Sequence, residues 1–414
     1  MTAPVLDAGA AARLILDHVR PLAPRRVPLA DALGLVPAED PAAPIDVPPW
    51  DNSAMDGYAA RAADLSAGAV LRVVEAIAAG AVGARRLGPG EAARIFTGAP
   101  LPEGADTVVR QEDTVPGPGT VRITAAPGPG RNVRRRGEDL QRGASVLPGR
   151  DPLTPAALGL LASVGHTDPL VYAPARVALF ASGDELAAPD RRDEILAGAK
   201  IASSNSFTIA AAVRGAGAVP VDLGIVPDDR RALASRIPRA GAADLLVTTA
   251  GVSVGEHDLL RDAVADRGGA VRFSRVRIRP GGPLTFGAVE GIPWFGLPGN
   301  PVSALVTFEL FVRPAIRTLQ GHDRPFRRAI PVVTGEALSL GPPLRHFLRV
   351  TLTPSGDGPP VARLTGSQSS GVLSSMARAD ALLIVPEDRP SVPAGERLTA
   401  VVLDDPVHVA EPPF

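Results

Sequence analysis

The sequence predicts a multidomain protein in which a largely parallel α/β module is flanked by β-rich modules. Three observations lead there. A chain of 414 residues is too long for one ordinary core, so two to four domains are expected. Texture changes along the chain: 70–147 and 329–414 are short β-prone runs punctuated by glycine and proline, whereas 176–319 alternates apolar runs with helical stretches. Within that stretch three glycine-bearing loops each directly follow an apolar run. They are Ser182-Gly183-Asp184-Glu185-Leu186, Gly251-Val252-Ser253-Val254-Gly255-Glu256-His257-Asp258 and Pro298-Gly299-Asn300-Pro301-Val302-Ser303. Strand, tight loop and helix is how an open parallel sheet builds a ligand crevice at its strand ends.

Taken in order, 7–19 carries Ala11, Leu14, Ile15 and Val19 at helical spacing and predicts a helix. Residues 27–35 read as a strand or turn entering a second short helix. Prolines crowd 41–50 and hold it extended. Strands are expected at 71–76, 92–96, 107–110, 121–124 and 145–147, and a helix at 155–164. In the α/β stretch, strands are expected at 177–180, 219–223, 245–248, 271–278 and 294–296, with helices at 206–215, 230–240, 257–266 and 302–319. A polar linker at 322–328 leads into the last β-prone segment. No internal repeat is evident.

Composition removes several classes of function. Formal net charge is −1, so no global field favours nucleic acid or membrane. There is no cysteine, which removes disulfides, thiolate metal sites and thiol nucleophiles together. No apolar run approaches the roughly 20 residues of a membrane span. Residues 1–16 lack the basic region and apolar core of a secretion signal, so a soluble cytoplasmic protein is expected. Lys200 is the single lysine, and its surroundings exclude a Walker A loop.

The three loops bring Asp184, Glu185, Glu256 and Asp258 to one sheet edge, beside glycines that let backbone N–H groups approach an oxyanion. Carboxylates next to a phosphate cradle imply a metal ion between them, because bare like charges repel. Each loop alone reads equally well as a capped helix start; it is the three together that point to a site. Further upstream, Asp51-Asn52-Ser53-Ala54-Met55-Asp56-Gly57-Tyr58 is either an Asx-rich turn or a functional loop. The tract Arg94-Ile95-Phe96-Thr97-Gly98-Ala99-Pro100 runs from a strand into a Gly/Pro turn. Arg131-Asn132-Val133-Arg134-Arg135-Arg136-Gly137-Glu138-Asp139 is either a solvated face or an anion-binding strip with Asp139 aimed at a metal. No aromatics interleave those arginines, which disfavours nucleic acid.

With these motifs in order, the chain resembles the molybdopterin molybdenumtransferases, the MoeA-type family that includes the C-terminal part of gephyrin. The resemblance runs nearly end to end. It rests on the tract from Pro48-Pro49-Trp50 to Asp56-Gly57-Tyr58, on Phe96-Thr97-Gly98-Ala99-Pro100 and Arg135-Arg136-Gly137-Glu138-Asp139, and on the three loops above. It implies an elongated four-domain subunit: domain I from 1–45 and 137–172, a β-rich inserted domain II at 46–136, a MogA-like molybdopterin-binding α/β domain III at 173–322 and a β-barrel domain IV at 328–414. It also implies a homodimer with the site between subunits, and a MogA-type molybdopterin adenylyltransferase as upstream partner. The implied reaction takes adenylylated molybdopterin and molybdate, hydrolyses the adenylyl anhydride and places molybdenum in the dithiolene, assisted by Mg2+ or another divalent ion.

Carried over by motif, Asp56, Thr97, Asp139, Glu185 and Asp258 match the family's catalytic positions, with Asp56, Asp139, Asp184 and Glu185 as metal ligands. Substrate-binding positions are Ser53, Ser182, Gly183, Asp184, Gly251, Ser253, Gly255, Arg279, Pro298, Gly299, Asn300, Ser303 and Arg349, the last matching an arginine that serves the anion. Three departures stand out. Arg279-Pro280-Gly281-Gly282-Pro283 replaces a Lys-Pro-Gly-Lys-Pro tract, so the cation expected at Gly282 is missing. Ser203 stands where an aspartate is usual, and Ala250 where a glycine is usual. The departures leave open a non-catalytic paralogue acting as carrier or scaffold. An unrelated sugar-phosphate or nucleotide enzyme would require the N-terminal motifs to be coincidence.

Overall fold

The computed structural model describes residues 4–147, 149–249 and 259–403. The chain forms two compact units, one of Arg26–Leu33 with Pro37–Val171, the other of Met1–Arg25, Gly34–Val36 and Tyr172–Phe414.

The first unit centres on a six-stranded half-barrel sheet. Its strands are β1 (Gly57–Ala60), β2 (Val70–Ile77), β3 (Glu91–Ile95), β4 (Thr107–Arg110), β5 (Thr114–Gly117) and β6 (Thr120–Ile123), in the order β4-β1-β3-β2-β6-β5. Alternation along the strands splits neighbours between two faces. Tyr58, Leu71, Val109, Val121 and Ile123 pack on one face, and Ile77, Leu87, Ile95 and Val108 on the other. Residues 145–147, expected as a strand, make only an isolated bridge between Ser145 and Ala42. Helix Pro155–Ser163 starts where expected, with Pro155 in its first turn and the Thr154 hydroxyl accepting from Ala157 N.

The second unit carries the α/β sheet and the closed barrel. Helix α1 (Ala8–Asp17) is capped by Asp7, whose Oδ1 accepts from Ala10 N at 2.8 Å, and buries Ala11 and Ile15 one turn apart. The sheet comprises β7 (Arg176–Ser182), β8 (Val219–Val226), β9 (Leu245–Thr249), β10 (Ala270–Phe273), β11 (Thr285–Val289) and β12 (Ile292–Leu297), ordered β8-β7-β9-β12-β11-β10. The first four neighbours are parallel and the last two pairings antiparallel. Helices α2 (Ser204–Gly215), α3 (Arg230–Arg236), α4 (Leu259–Asp266), α5 (Pro301–Thr307) and α6 (Arg313–Leu319) accompany the strands, and each sheet face covers a separate apolar core. From β7 the chain first adds β8 on one side and then β9 on the other. That reversal opens a crevice at the carboxyl ends of β7 and β9. Ala181, Thr249 and Leu297 are level across the sheet, so the three strands that precede the predicted loops end at one edge.

Two elements differ from expectation. The strand expected at 271–278 breaks up. Ala270–Phe273 stays in the sheet, Arg275–Val276 pairs with Val5–Leu6, and Ile278–Arg279 pairs with Arg345 and His346. The helix expected at 302–319 is continuous but passes through a π segment, Phe308–Val312, just before Pro314, which has no N–H to donate.

The barrel is closed by five strands, β13 (Ala329–Thr334), β14 (Arg345–Ser355), β15 (Gly358–Leu364), β16 (Ala381–Val385) and β17 (Arg397–Val402). They run β14-β15-β13-β17-β16 and back to β14, around Val332, Leu348, Val350, Leu383 and Ala400. Among the described residues no helix is long and apolar enough to cross a membrane.

Candidate functional site

In the half-barrel unit, three motifs that are far apart in sequence knit into one corner. The turn at 51–56 bonds to the tract at 97–101 through Ser53 N to Ala99 O, Gly98 N to Ser53 O and Leu101 N to Asp51 O. Asp56 Oδ1 accepts both the backbone N–H and the hydroxyl of Thr97, each at 2.8 Å. These two donors, the backbone N–H first, hold the Asp56 carboxyl below its ordinary value. Both side chains stay open to solvent. Arg94 lies behind the pair. Its guanidinium sits 5.1 Å from the centre of the Tyr58 ring and 4.9 Å from that of Phe96, and donates to Gly57 O and Gln111 Oε1.

The arginine tract joins the same corner. Arg135 Nη1 donates to Asp51 Oδ2 at 2.7 Å, Arg136 N donates to Asp51 Oδ1 at 2.8 Å, and the Arg136 guanidinium pairs with Asp46. Two of its four arginines are therefore committed to carboxylates of the unit. Asp139 is exposed, its backbone N–H bonded to Val47 O. Ser53 is placed differently from its predicted role: it is fully buried, and its hydroxyl donates to Met55 O inside the turn.

In the α/β unit a cleft of about 580 Å³ opens at the carboxyl end of the sheet. Glu185, Ser203, Asn205, Thr249, Pro298, Gly299 and Asn300 are among its walls. Asn205 Nδ2 donates to Gly299 O at 2.8 Å, while its buried Oδ1 has no partner. Ser203, which replaces an acidic residue, shares a 2.7 Å hydrogen bond with Ser206. The Glu185 carboxylate folds over Gly183, where a Cβ would lie 2.5 Å from Glu185 Oε2. Lys200 Nζ donates to Asp184 O, and the buried Ser182 ends β7.

Sequence reasoning missed Asp228. Its backbone N–H donates to Asp184 Oδ1 at 3.2 Å. Burial pushes its carboxyl above the usual range, and the charges of Glu185 and Asp184 add to the rise. A PDD turn after a strand gives little warning that one of its carboxylates faces another loop. Gly251, Ser253, Gly255 and Asp258 lie outside the described residues. Among the described residues, no three carboxylate or imidazole groups come together as a metal centre.

A second cavity, about 720 Å³, shares Asn300 and Pro283 with the cleft and reaches the barrel. Arg275, Arg279, Gly282, Ser303 and Arg349 line it. Arg349 is completely buried. Its Nε donates to Ser375 Oγ at 3.2 Å, and its Nη2 to Ser367 O and Ser369 O at 3.2 and 3.1 Å. Its Nη1 has no partner. Burial lowers its pKa to about 10, so it remains charged at neutral pH. A buried guanidinium with an idle donor is costly unless an anion arrives. At Gly282 a Cβ would meet only Ile278 O and Val276 O, each at 3.4 Å.

Comparison with known proteins accords with this geometry. Residues 6–165 match "MoeA N-terminal region (domain I and II)", 178–318 match "Probable molybdopterin binding domain" and 331–403 match "MoeA C-terminal region (domain IV)". A molybdopterin molybdenumtransferase 2 of Mycobacterium tuberculosis is 40% identical over 402 residues, covering 93% of this chain and 96% of that protein. A molybdopterin molybdenumtransferase of Haemophilus influenzae is 36% identical over 90% of this chain and 92% of its own length. The crystal structure of a molybdopterin biosynthesis MoeA protein from Pyrococcus horikoshii superposes with a TM-score of 0.80 at 29% identity, covering 97% of this chain and all of that one. The chain belongs to the molybdopterin molybdenumtransferase family.

Proposed function

We propose that this protein is a molybdotransferase that inserts molybdenum from molybdate into adenylylated molybdopterin, releasing AMP. The observation that carries the reading is Arg349, a buried cation with an idle Nη1 that belongs to the walls of a cavity sharing Asn300 and Pro283 with the α/β cleft. An oxyanion there would take the hydrogen bond that the protein leaves unmade, with Arg279, Arg275 and Ser303 on the same walls. Asn205, on the walls of the neighbouring cleft, has an unpartnered Oδ1 that could accept from a ligand N–H or O–H group. A pterin bears such donors. Water attacking the phosphorus of the adenylyl anhydride forms one P–O bond and breaks another, and AMP leaves. No protein nucleophile is needed.

The Asp56–Thr97 corner is assigned to a homodimer, in which one copy presents it, with Asp139, to the Glu185 edge of the other. Mg2+ or a similar ion belongs to that shared arrangement. A cytoplasmic location and supply of substrate by a MogA-type adenylyltransferase complete the reading. No observation favours a non-catalytic carrier. Expression in a strain lacking its own insertase should restore molybdoenzyme activity without added molybdate. Failure to restore it, with the protein soluble and folded, would favour the carrier reading instead.

A further inference from the structure

A third pocket, about 230 Å³, lies at the opposite end of the α/β sheet from the candidate site. Tyr172 and Gly217, on its walls, come just before the first residues of β7 and β8, whereas the cleft lies beyond the last ones. Arg214, Arg317, Gln320 and His322 complete its polar lining. We propose that this pocket is a second anion-binding site, for a sulfate- or phosphate-sized oxyanion or a phosphoryl group, held by Arg317 and Arg214 with the His322 imidazole beside them.

The charges point one way. Arg317 is half-buried in α6, and its Nη2 lies 3.1 Å from His322 Nδ1. A guanidinium can only donate, so Nδ1 accepts and the imidazole is neutral, with its proton on Nε2. Among the described residues no carboxylate pairs with Arg317 or Arg214. Glu309, in the π segment before α6, is already used: it accepts from Arg327 Nε at 2.6 Å and stands 3.9 Å from Arg313. Arg313 and Arg327 thus share that glutamate and Arg317 does not, while Asp323, beside His322, is exposed.

Several acceptors around the pocket are already occupied. At the end of α2, Ala212 O and Arg214 O accept from Ala216 N and Gly217 N, and Ala216 O accepts from Gln320 Nε2. At the end of α6, Arg317 O accepts from His322 N. The side-chain charges that the pocket leaves without a carboxylate, those of Arg214 and Arg317, are cationic, and an anion complements them.

Protonation is linked to occupancy. Burial, then Arg317 and Arg313, push the His322 pKa down to about 4, against the opposing pull of Asp323. A bound dianion would oppose those effects and raise it. By reciprocity the anion binds more tightly as the pH falls.

Inorganic sulfate is the suitable probe, because it stays a dianion down to about pH 4, so its own charge is constant where His322 takes up its proton. The imidazole resonances of His322 in the full-length protein are followed by NMR, with chloride at equal ionic strength as control. The expected result is a saturable His322 response, a raised His322 pKa, and binding that is tighter at the lower pH. Arg317→Met and Arg214→Met should each weaken it roughly tenfold, the loss of about one charge-assisted hydrogen bond. Arg349→Met, at the other anion cavity, should leave the His322 response unchanged. Arg214 is exposed, so its variant keeps the test open if Arg317→Met fails to fold. A His322 signal that ignores sulfate, or a response that survives both arginine substitutions, would overturn the proposal.

Discussion

Asp56 and Thr97 form the best-defined polar pair of the half-barrel unit, and the sign of their coupling can be checked. The folded carboxyl is held low, so the stabilisation is fully present above the ordinary carboxylate pKa and is lost as pH falls through the folded value. Thr97→Val removes the hydroxyl donor and keeps the backbone one. The Asp56 titration, followed by carboxyl NMR, should move upward, and AMP release should drop at least roughly tenfold, while Thr97→Ser should retain both. An unmoved titration in the valine variant would mean the hydroxyl contributes nothing. At the other site, Arg279 lines the same cavity as Gly282, whereas Arg277, two residues earlier, does not. Arg279→Ala should therefore raise the molybdate needed for half-maximal turnover about tenfold, and Arg277→Ala should not. Gly282→Lys should fold normally, since its Cβ meets only ordinary contacts. Equal effects of the two arginine variants would separate Arg279 from the anion.

At the scale of elements, Arg94 on β3 ties together the loops that carry Asp56 and Thr97. It is held between the rings of Tyr58 and Phe96 and bonded to Gly57 O. An exposed cation–π contact contributes about 0.5–1 kcal/mol, so Arg94→Ala should shift Tm little. It should nonetheless lower kcat more than it raises KM, and Arg94→Lys should recover part of the loss. A large fall in Tm with unchanged kcat would make the residue purely structural. Much of this level was legible in the sequence. Short apolar runs located β7, β8, β9 and β12, and proline and capping residues set the starts of α5 and helix Pro155–Ser163. The failures have physical causes. Residues 271–278 look like one strand because apolar and arginine residues alternate, yet the chain leaves the sheet after Phe273 and its two-residue pieces pair elsewhere. β11 was missed because Gly287 sits mid-strand, where close approach of Ala270 O excludes a side chain and weakens the β signal. Asp228 and Asn205 were missed because their roles depend on neighbouring loops rather than on local pattern. Arg349 was legible only through family resemblance; its burial and idle Nη1 are tertiary facts.

For the whole molecule, the proposal of a shared site has a quantitative consequence. If each site of a dimer takes Asp56 from one copy and Glu185 from the other, Asp56→Ala and Glu185→Ala chains are inactive alone. Random mixing makes half the dimers mixed, and each mixed dimer has one intact site of two, so about a quarter of wild-type activity should return. No recovery after verified subunit exchange would place both residues in a site built otherwise. The central claim is that the buried Arg349 cavity receives molybdate for insertion. It is tested most directly by molybdate-dependent AMP release from adenylylated molybdopterin, comparing the purified wild-type protein with Arg349→Met. Removing a buried, incompletely paired charge in favour of an apolar stem should leave Tm equal or higher. Wild type should release AMP with a saturable dependence on molybdate, and Arg349→Met should lose that dependence while staying folded. Wild-type AMP release indifferent to molybdate, or an Arg349→Met titration that overlays the wild type, would contradict the account.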